Sequence, residues 1–215
     1  MPSYSFSRSM GFASNGSDEG TSILSYSPDW YNRGRTPFDY RHVEYATLLW
    51  EIPFGHGRKF HSDAGRLVDA IAGGWNFTLT QQGRSGAPLS ISGGYSNLGN
   101  GEGSRADIIG NPGISNPSPS LWFDTAAFAR PALYTFGSSP LGILEGPGFL
   151  QLNTALAKQF RVAERKSLAF RWEAFNAVNR VNYGNPSTNV ASSLFGKITS
   201  ANTARYMQLG LKFMF

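Results

Sequence analysis

Three histidines are the first side chains to consider for chemistry, because an imidazole can bind a metal ion or carry a proton. They are His42, His56 and His61, and the last two lie close together in a glycine-containing segment. A zinc site needs a carboxylate or another ligand at matching spacing, and Asp63 is the one near candidate. A polar turn explains this segment better, and His42 beside Arg41 suits the rim of a strand. We therefore expect no metal site.

Other patterns for catalysis or cofactor binding are incomplete. Residues 83–87 approach the Gly-x-Ser-x-Gly elbow of hydrolases, but they end in alanine and no helical pattern follows. Residues 99–103 imitate a phosphate loop without its Gly-Lys-Ser/Thr ending. Asn15, Asp18 and Glu19 offer oxygen ligands for calcium, but their spacing is not that of an EF-hand. We expect neither enzymatic activity nor a bound cofactor.

Arg171 and Glu173 are the most suggestive charged pair. They lie two residues apart in a segment where polar and apolar residues alternate, so both project from one face of a strand. Leu168, Phe170 and Trp172 fall on the opposite face. We expect this candidate lumen pair to form a salt bridge in a wall that lines water, with contact to a ligand as the alternative.

The last eight residues alternate in the same way and end in an aromatic residue. One face carries Leu209, Leu211, Phe213 and Phe215, and the other is mostly polar. Lipid on one side and a wet interior on the other require this pattern, although the last strand of a soluble sandwich also alternates. The segment resembles the C-terminal insertion signal of bacterial outer-membrane β-barrels. On that resemblance the assembly-signal residues are Gln208, Gly210, Phe213 and Phe215.

Composition agrees with a β-protein that has many turns. The chain has 215 residues, which fits one all-β domain, and charged residues are only 15% whereas aromatic residues reach 14%. The net charge of +5 comes from scattered lysines and arginines, so the chain does not resemble a nucleic-acid-binding protein. Without cysteine it has no disulfide. No apolar run is long enough for a transmembrane helix.

The alternation predicts six strands. They cover residues 3–8, 42–52, 75–83 (with a continuation at 88–92), 150–162, 167–178 and 204–215. Pro53 ends the second strand, because proline donates no hydrogen bond to a sheet. Residues 64–72 predict either a short helix, with Asp63 as its N-cap and Gly73 as its stop, or a simple loop.

The predicted connections alternate in length. Residues 11–41, 93–149 and 179–203 are long, whereas residues 55–73 and 163–166 are shorter. Outer-membrane barrels combine short periplasmic turns with long external loops in this way. The fold class predicted is therefore all-β, a segment of about six strands from an antiparallel transmembrane β-barrel, with long external loops and an incomplete barrel.

Several sequence blocks together resemble the Oar-like branch of the TonB-dependent receptors. The block at residues 173–179 (Glu-Ala-Phe-Asn-Ala-Val-Asn) is its most recognisable part. The others occur at residues 4–9, 39–42, 50–58, 73–75, 105–112, 122–128 and 183–186. Glu44 departs from the pattern, since the branch usually has a lipid-facing apolar residue there.

The resemblance implies that residues 1–215 are the C-terminal portion of a receptor barrel, without plug domain or signal peptide. Such barrels close with about 22 strands around a plugged lumen. The first residues lack the pattern of a secretory signal, so we expect a longer protein. The implied location is the outer membrane of a Gram-negative-type bacterium. The implied partners are outer-membrane lipid, the barrel-assembly machinery, a large ligand and the TonB complex, which a plug domain would contact.

Two alternatives remain at this point. A secreted soluble β-sandwich could bind carbohydrate through loop aromatics such as Trp122, Tyr134 and Phe136. A small self-contained porin-like barrel would need at least about eight strands. The number of predicted strands disfavours the small barrel.

Overall fold

The computed structural model of the chain has mostly β-strand as its regular secondary structure. It describes residues 1–12, 29–63, 65–95, 98–99 and 104–215. The strands within these residues are β1 (Pro2–Phe6), β2 (Met10–Phe12), β3 (Arg33–Arg35), β4 (His42–Glu51), β5 (Trp75–Arg84), β6 (Pro88–Leu89), β7 (Asp107–Ile108), β8 (Phe128–Ala129), β9 (Leu144–Glu145), β10 (Phe149–Ala163), β11 (Lys166–Phe175) and β12 (Tyr206–Met214). The helical segments there are α1 (Asp29–Asn32), α2 (Arg66–Ala72) and a 3₁₀ turn at Thr125–Ala127.

Six of the strands form one antiparallel sheet, which we call the wall. Its order is β1-β4-β5-β10-β11-β12, so each wall strand pairs with the next wall strand along the chain. The six predicted strands are confirmed, and their ends differ from the prediction by only a few residues. The predicted continuation at residues 88–92 is the short β6, which pairs with β9 outside the wall. The wall is an open sheet in the described residues, because β1 and β12 each have one partner strand.

The two faces of the wall differ in chemistry. The register places Leu48 opposite Leu79, Phe77 opposite Leu156, and Trp172 opposite both Leu156 and Leu209. These side chains share the apolar face with Phe170, Leu211 and Phe213, and many of them are exposed. The opposite, polar face carries Thr78, Thr80, Asn153, Gln159, Arg171 and Glu173. The alternation predicted from the sequence is therefore present across the wall.

Glu44 is an exception on the apolar face. It lies near the start of β4, opposite Tyr4 and Gly83, where its carboxylate accepts a 3.1 Å hydrogen bond from Gln81 Nε2. The Cβ of any other residue at position 83 would clash with the Glu44 side chain, so glycine makes room for it. Glu44 and Gln81 therefore form a polar pair at the end of the wall that leads into the long loops.

The connections between wall strands alternate in length as predicted. Residues 7–41, 85–148 and 176–205 connect strands at one end of the wall, and residues 52–74 and 164–165 connect them at the other. The described parts of the three long loops pack together into a unit that we call the outer cap. Its core contains Ile91, Ala106, Phe123, Ala127 and Phe128, with Phe195 packed against them. The most completely buried side chains are thus found beyond the wall.

The predicted short helix is confirmed as α2, but its predicted N-cap is wrong. The cap is Gly65, which has no side chain to accept a hydrogen bond, so Asp63 lies outside the helix. Gly73 does end the helix, and its N–H donates to Asp69 O. None of the described helices is long and apolar enough to cross a bilayer.

Reversing the polarity of one wall residue tests which face contacts lipid. We expect Leu79→Arg, on the apolar face in the middle of β5, to destabilise the folded protein in phospholipid vesicles by about 2–4 kcal/mol. The matched variant Thr78→Arg places the same charge on the polar face, where we expect little change. Urea unfolding followed by tryptophan fluorescence measures both. Equal losses for the two variants would contradict the assignment of the faces.

Candidate functional site

The structure places the two members of the candidate lumen pair in contact. Arg171 and Glu173 project from the polar face of β11, and Nε and Nη2 of Arg171 donate hydrogen bonds of 2.9 and 2.6 Å to Glu173 Oε1. The Arg171 side chain is 57% exposed and that of Glu173 is 17% exposed. Since both residues belong to one strand, β11 alone determines this geometry.

Gln208 joins this pair from the neighbouring strand. It lies opposite Glu173 in the register of β11 and β12, and its Nε2 donates to Glu173 Oε2. Gly210 lies opposite Arg171, and a Cβ there would be at an ordinary 3.8 Å from the Arg171 carbonyl oxygen. Sequence reasoning assigned Gln208 to the assembly signal and missed its contact with Glu173. Thirty residues separate β11 from β12, so no turn pattern could have fixed this register.

The aromatic residues at the end of the chain lie together on the apolar side. Phe213 pairs with Leu168 on β11, and the ring centroids of Phe213 and Phe215 are 6.1 Å apart. Phe215 follows the last residue of β12 and is 94% exposed. The ring is therefore available to another molecule, and its role in assembly stays a prediction.

Two asparagines explain the block at residues 173–179. Asn176 and Asn179 have φ values of 51° and 52°, a left-handed conformation that asparagine tolerates better than most residues. The Asn176 side chain accepts a hydrogen bond from Arg180 N and donates to Arg180 O. The Asn179 side chain accepts from Arg205 N, at the start of the return to β12. The block thus turns the chain out of β11 and ties both ends of the loop together.

A cavity of about 570 Å³ opens where the polar face meets the outer cap. The wall contributes Phe149, Phe175 and Tyr206, and the cap contributes Asn202 and Thr203. The rings of Phe175 and Tyr206 stack with centroids 4.6 Å apart. The aromatic rings, the asparagine amides and the Thr203 hydroxyl together make this a neutral, polar surface. Its residues come from separate segments of the chain, so no sequence pattern identified it.

Asn182 connects this cavity to the wall. Its Oδ1 accepts a 2.9 Å hydrogen bond from Leu150 N, and its Nδ2 donates a 3.0 Å bond to Leu150 O. Asn182 is buried. A buried amide that satisfies both backbone groups of one strand residue fixes the loop against the end of β10.

A buried ion pair holds the start of the cap. Asp39 is 1% exposed and accepts hydrogen bonds from Arg35 Nε at 2.7 Å and from Ser9 N at 2.6 Å. Burial by itself raises the pKa of Asp39. The hydrogen bonds from Arg35 and Ser9, together with the charges of Arg35 and Arg41, outweigh that effect and hold the pKa below its ordinary value.

A second arginine links two loops of the cap. The Arg105 guanidinium lies 3.5 Å from the centre of the Tyr31 ring, and its Nε donates a 2.7 Å hydrogen bond to Ser139 O. The Tyr31 hydroxyl accepts from Arg105 N at 3.0 Å. Arg105 belongs to a block that sequence analysis noted for its resemblance alone, and the structure gives it this bridging position.

The histidines have structural contacts. His42 Nδ1 and the Tyr4 hydroxyl form a 2.7 Å hydrogen bond at the rim of the wall, and the ring of Phe6 lies nearby. His61 stacks on Phe54 with centroids 6.0 Å apart. In the described parts of the chain, no group of three or more His, Asp or Glu side chains could hold a metal ion.

Of the remaining residues that the sequence suggested for catalysis or ligand binding, the structure describes only some. Ser85, in the incomplete hydrolase pattern, accepts a hydrogen bond from His42 N at the end of β5. Asn15, Asp18 and Glu19 lie outside the described residues. Of the segment that imitates a phosphate loop, only Gly99 is described.

Acidification tests the role of Asp39. Because its folded pKa is lowered, the carboxylate stabilises the cap above the unfolded pKa, near 4, and that stabilisation is lost as pH falls through the folded value. We expect Asp39→Asn to weaken the cap at pH 7 by about 1–3 kcal/mol and to remove this part of its acid sensitivity. Protease protection of the external loops on whole cells, measured across pH, checks both effects.

The control variant is Glu164→Gln, which removes a carboxylate from the exposed turn between β10 and β11. It should leave protection of the cap unchanged at every pH. An Asp39→Asn protein whose cap kept the stability and the acid sensitivity of the parent would contradict the proposed role of this ion pair.

Comparison with known proteins agrees with this architecture. A family model described as the outer membrane beta barrel domain matches residues 2–208, which is nearly the whole chain. The chain matches no curated protein and no solved structure. The match includes the first five wall strands, the start of β12 and the described outer cap. The chain therefore belongs to the outer membrane beta barrel domain family, and the protein is located in the outer membrane.

Proposed function

We propose that the chain forms the C-terminal wall of a TonB-dependent receptor of the Oar-like branch, which imports or senses a large ligand. The observation that carries the proposal is the open wall, whose polar face ends beneath a folded outer cap. The blocks that resemble this branch occupy the ends of wall strands and the cap. Asp39, Arg105 and Asn176 belong to them, and each makes partly buried hydrogen bonds there.

Each part of the chain has its own role in this proposal. The wall separates lipid from the lumen, the outer cap meets external ligands, and the end of β12 is presented to the barrel-assembly machinery. A plug domain outside residues 1–215 would contact the TonB complex. We propose transport or sensing without catalysis and without nucleic-acid binding, because the charged pair on the polar face, Arg171 and Glu173, bonds within the wall.

The soluble sandwich has no comparable support. A sandwich buries the apolar side of one sheet against a second sheet. In the described chain, the other sheets have two strands each, and apolar wall residues such as Leu48, Leu209 and Leu211 remain exposed. An apolar exterior of this kind suits lipid, in agreement with the family.

Removal of the terminal aromatic residue tests the assembly role. We expect deletion of Phe215 to reduce sharply the amount of protein inserted in the outer membrane, because the assembly machinery would recognise an exposed aromatic ring at this position. The measurement is the folded fraction in isolated outer membranes, scored by heat-modifiable gel mobility.

The matched variant Phe215→Tyr keeps an aromatic ring and should insert normally. Met214→Thr alters the neighbouring residue on the other face and should also insert. Undiminished outer-membrane levels after deletion of Phe215 would contradict the assembly role.

The transport proposal needs a test of its own. An antibody against the outer cap should detect, in native outer membranes, a product longer than 215 residues. Site-specific cross-linking should join that product to TonB. A product that never cross-links to TonB under any growth condition would overturn TonB-dependent transport and would leave the family membership unaffected.

A further inference from the structure

The helix α2 displays an apolar stripe that nothing in the described chain covers. Leu67 is 82% exposed, Val68 is 52% exposed and Ile71 is 73% exposed. Their spacing places them along one side of the helix. Exposure of such a stripe to water is unfavourable, and exposed apolar patches commonly mark a surface that contacts a membrane or another molecule.

Two side chains from the apolar face of the wall hold the last turn of α2. Lys158 Nζ donates hydrogen bonds of 3.2 and 2.6 Å to the carbonyl oxygens of Asp69 and Ala70. Trp75 Nε1 donates a 2.8 Å bond to the Ile71 carbonyl. Lys158 and Trp75 face each other in the register of β10 and β5, beside Phe170 of β11. The helix therefore lies against the side of the wall that contacts lipid.

The charge of Lys158 accounts for the position of the C-terminal end of α2 against the wall. An ammonium group facing hydrocarbon without partners is costly, and a helix C-terminus offers unpaired carbonyl oxygens with partial negative charge. Lys158 is 6% exposed, and its Nζ lies 5.5 Å from the Trp75 ring and 4.8 Å from the Phe160 ring. The cation is thus enclosed by α2 and two aromatic rings at the short-loop end of the wall.

The turn before α2 has the composition of a membrane interface. Phe54 and Phe60 are exposed, and their ring centroids are 5.3 Å apart. Lys59 Nζ lies 5.6 Å from the Phe60 ring, and Arg58 forms an exposed salt bridge with Glu51. Aromatic and basic residues together are typical of the level of lipid headgroups.

The turn and the helix form one unit. Asp69 Oδ1 accepts a 2.6 Å hydrogen bond from His56 N. Gly55, with φ of 114°, packs so closely on Asp69 and Gly73 that a Cβ would clash with both. The two parts therefore keep a fixed position relative to each other.

We propose that residues 53–63 and 65–72 form an interfacial foot that inserts into the periplasmic leaflet of the outer membrane, with phospholipid as its partner. The acyl chains cover Leu67, Val68 and Ile71, and the headgroups lie near Lys59. Two observations favour lipid over a protein partner. The last turn of α2 is bonded to Lys158 and Trp75 on the apolar face of the wall, and the foot has aromatic and basic groups at its edge. The inference rests on membership of the barrel family and is independent of TonB-dependent transport.

Residues 1–215 contain no cysteine, so once any cysteine outside them is replaced by serine, a single introduced cysteine can be labelled. Single variants Leu67→Cys and Ile71→Cys are spin-labelled in the protein in native outer-membrane vesicles. Collision with oxygen, which concentrates in lipid, is compared with collision with a water-soluble nickel chelate. Leu211→Cys provides the lipid reference on β12, and Glu164→Cys provides the aqueous reference in the turn between β10 and β11.

We expect the labels at positions 67 and 71 to resemble that at 211, with an oxygen-to-nickel ratio severalfold above that at 164. A ratio equal to that at 164 would place the stripe in water and overturn the proposal. Protection from both reagents would also overturn it, because a protein partner would then cover the stripe.

A further variant tests the attachment of the foot. In Lys158→Ala the last turn of α2 loses its two hydrogen bonds to the wall, and the label at position 67 should become severalfold more accessible to the nickel chelate. Folding of the wall is monitored in a second Lys158→Ala protein that carries the label at position 211. The oxygen-to-nickel ratio of that label should not change. Unaltered accessibility at 67 would contradict the role of Lys158 in holding the foot.

Discussion

Backbone hydrogen bonding in lipid is the constraint on which the rest of the structure depends. A bilayer offers no water to an unpaired N–H or C=O group, so strands cross it only when both of their edges are paired. The inner wall strands β4, β5, β10 and β11 meet this condition, whereas β1 and β12 have one partner strand each among the described residues. The wall therefore needs a neighbouring strand at both edges when it lies in the membrane. The same pairing forces side chains to alternate, which explains why one face is mainly apolar and the other can be polar.

Three charged side chains of the wall each have a local partner. Glu44 accepts a hydrogen bond from Gln81, Lys158 donates to the end of α2, and Arg171 bonds to Glu173. The first two lie on the apolar face near opposite ends of the wall, where partners from loops or strand ends can reach them. The pair on β11 faces the interior, where water also reaches it. The distribution of charge thus follows the cost of desolvation, which is greatest in the middle of the apolar face.

The sequence predicted the wall well and the cap poorly, for physical reasons. A strand with lipid on one side must alternate, so β5, β11 and β12 were recognisable from periodicity alone. The cap has no period, because its core joins residues from distant loops, such as Ile91 and Phe195. The contact between Glu173 and Gln208 was missed since a long loop does not determine register. The start of α2 was misplaced because aspartate is a common N-cap residue, which favoured Asp63. The helix instead begins after Gly65, which has no side chain that could cap it.

The position of the core also follows from the membrane. One face of the wall must remain open to lipid and the other to water, so neither can bury a conventional core. Beyond the bilayer this restriction ends, and there the chain buries Tyr31, Ile91 and Phe123 almost completely. The long loops of the described chain are therefore packed elements held by Asp39, Arg105 and Asn182. Because the described parts of these loops pack against one another, a ligand that bound at the mouth would have to offset less of the entropy of ordering them. The cavity at the junction of wall and cap is accordingly a preformed surface, whose shape depends on the packing of the cap.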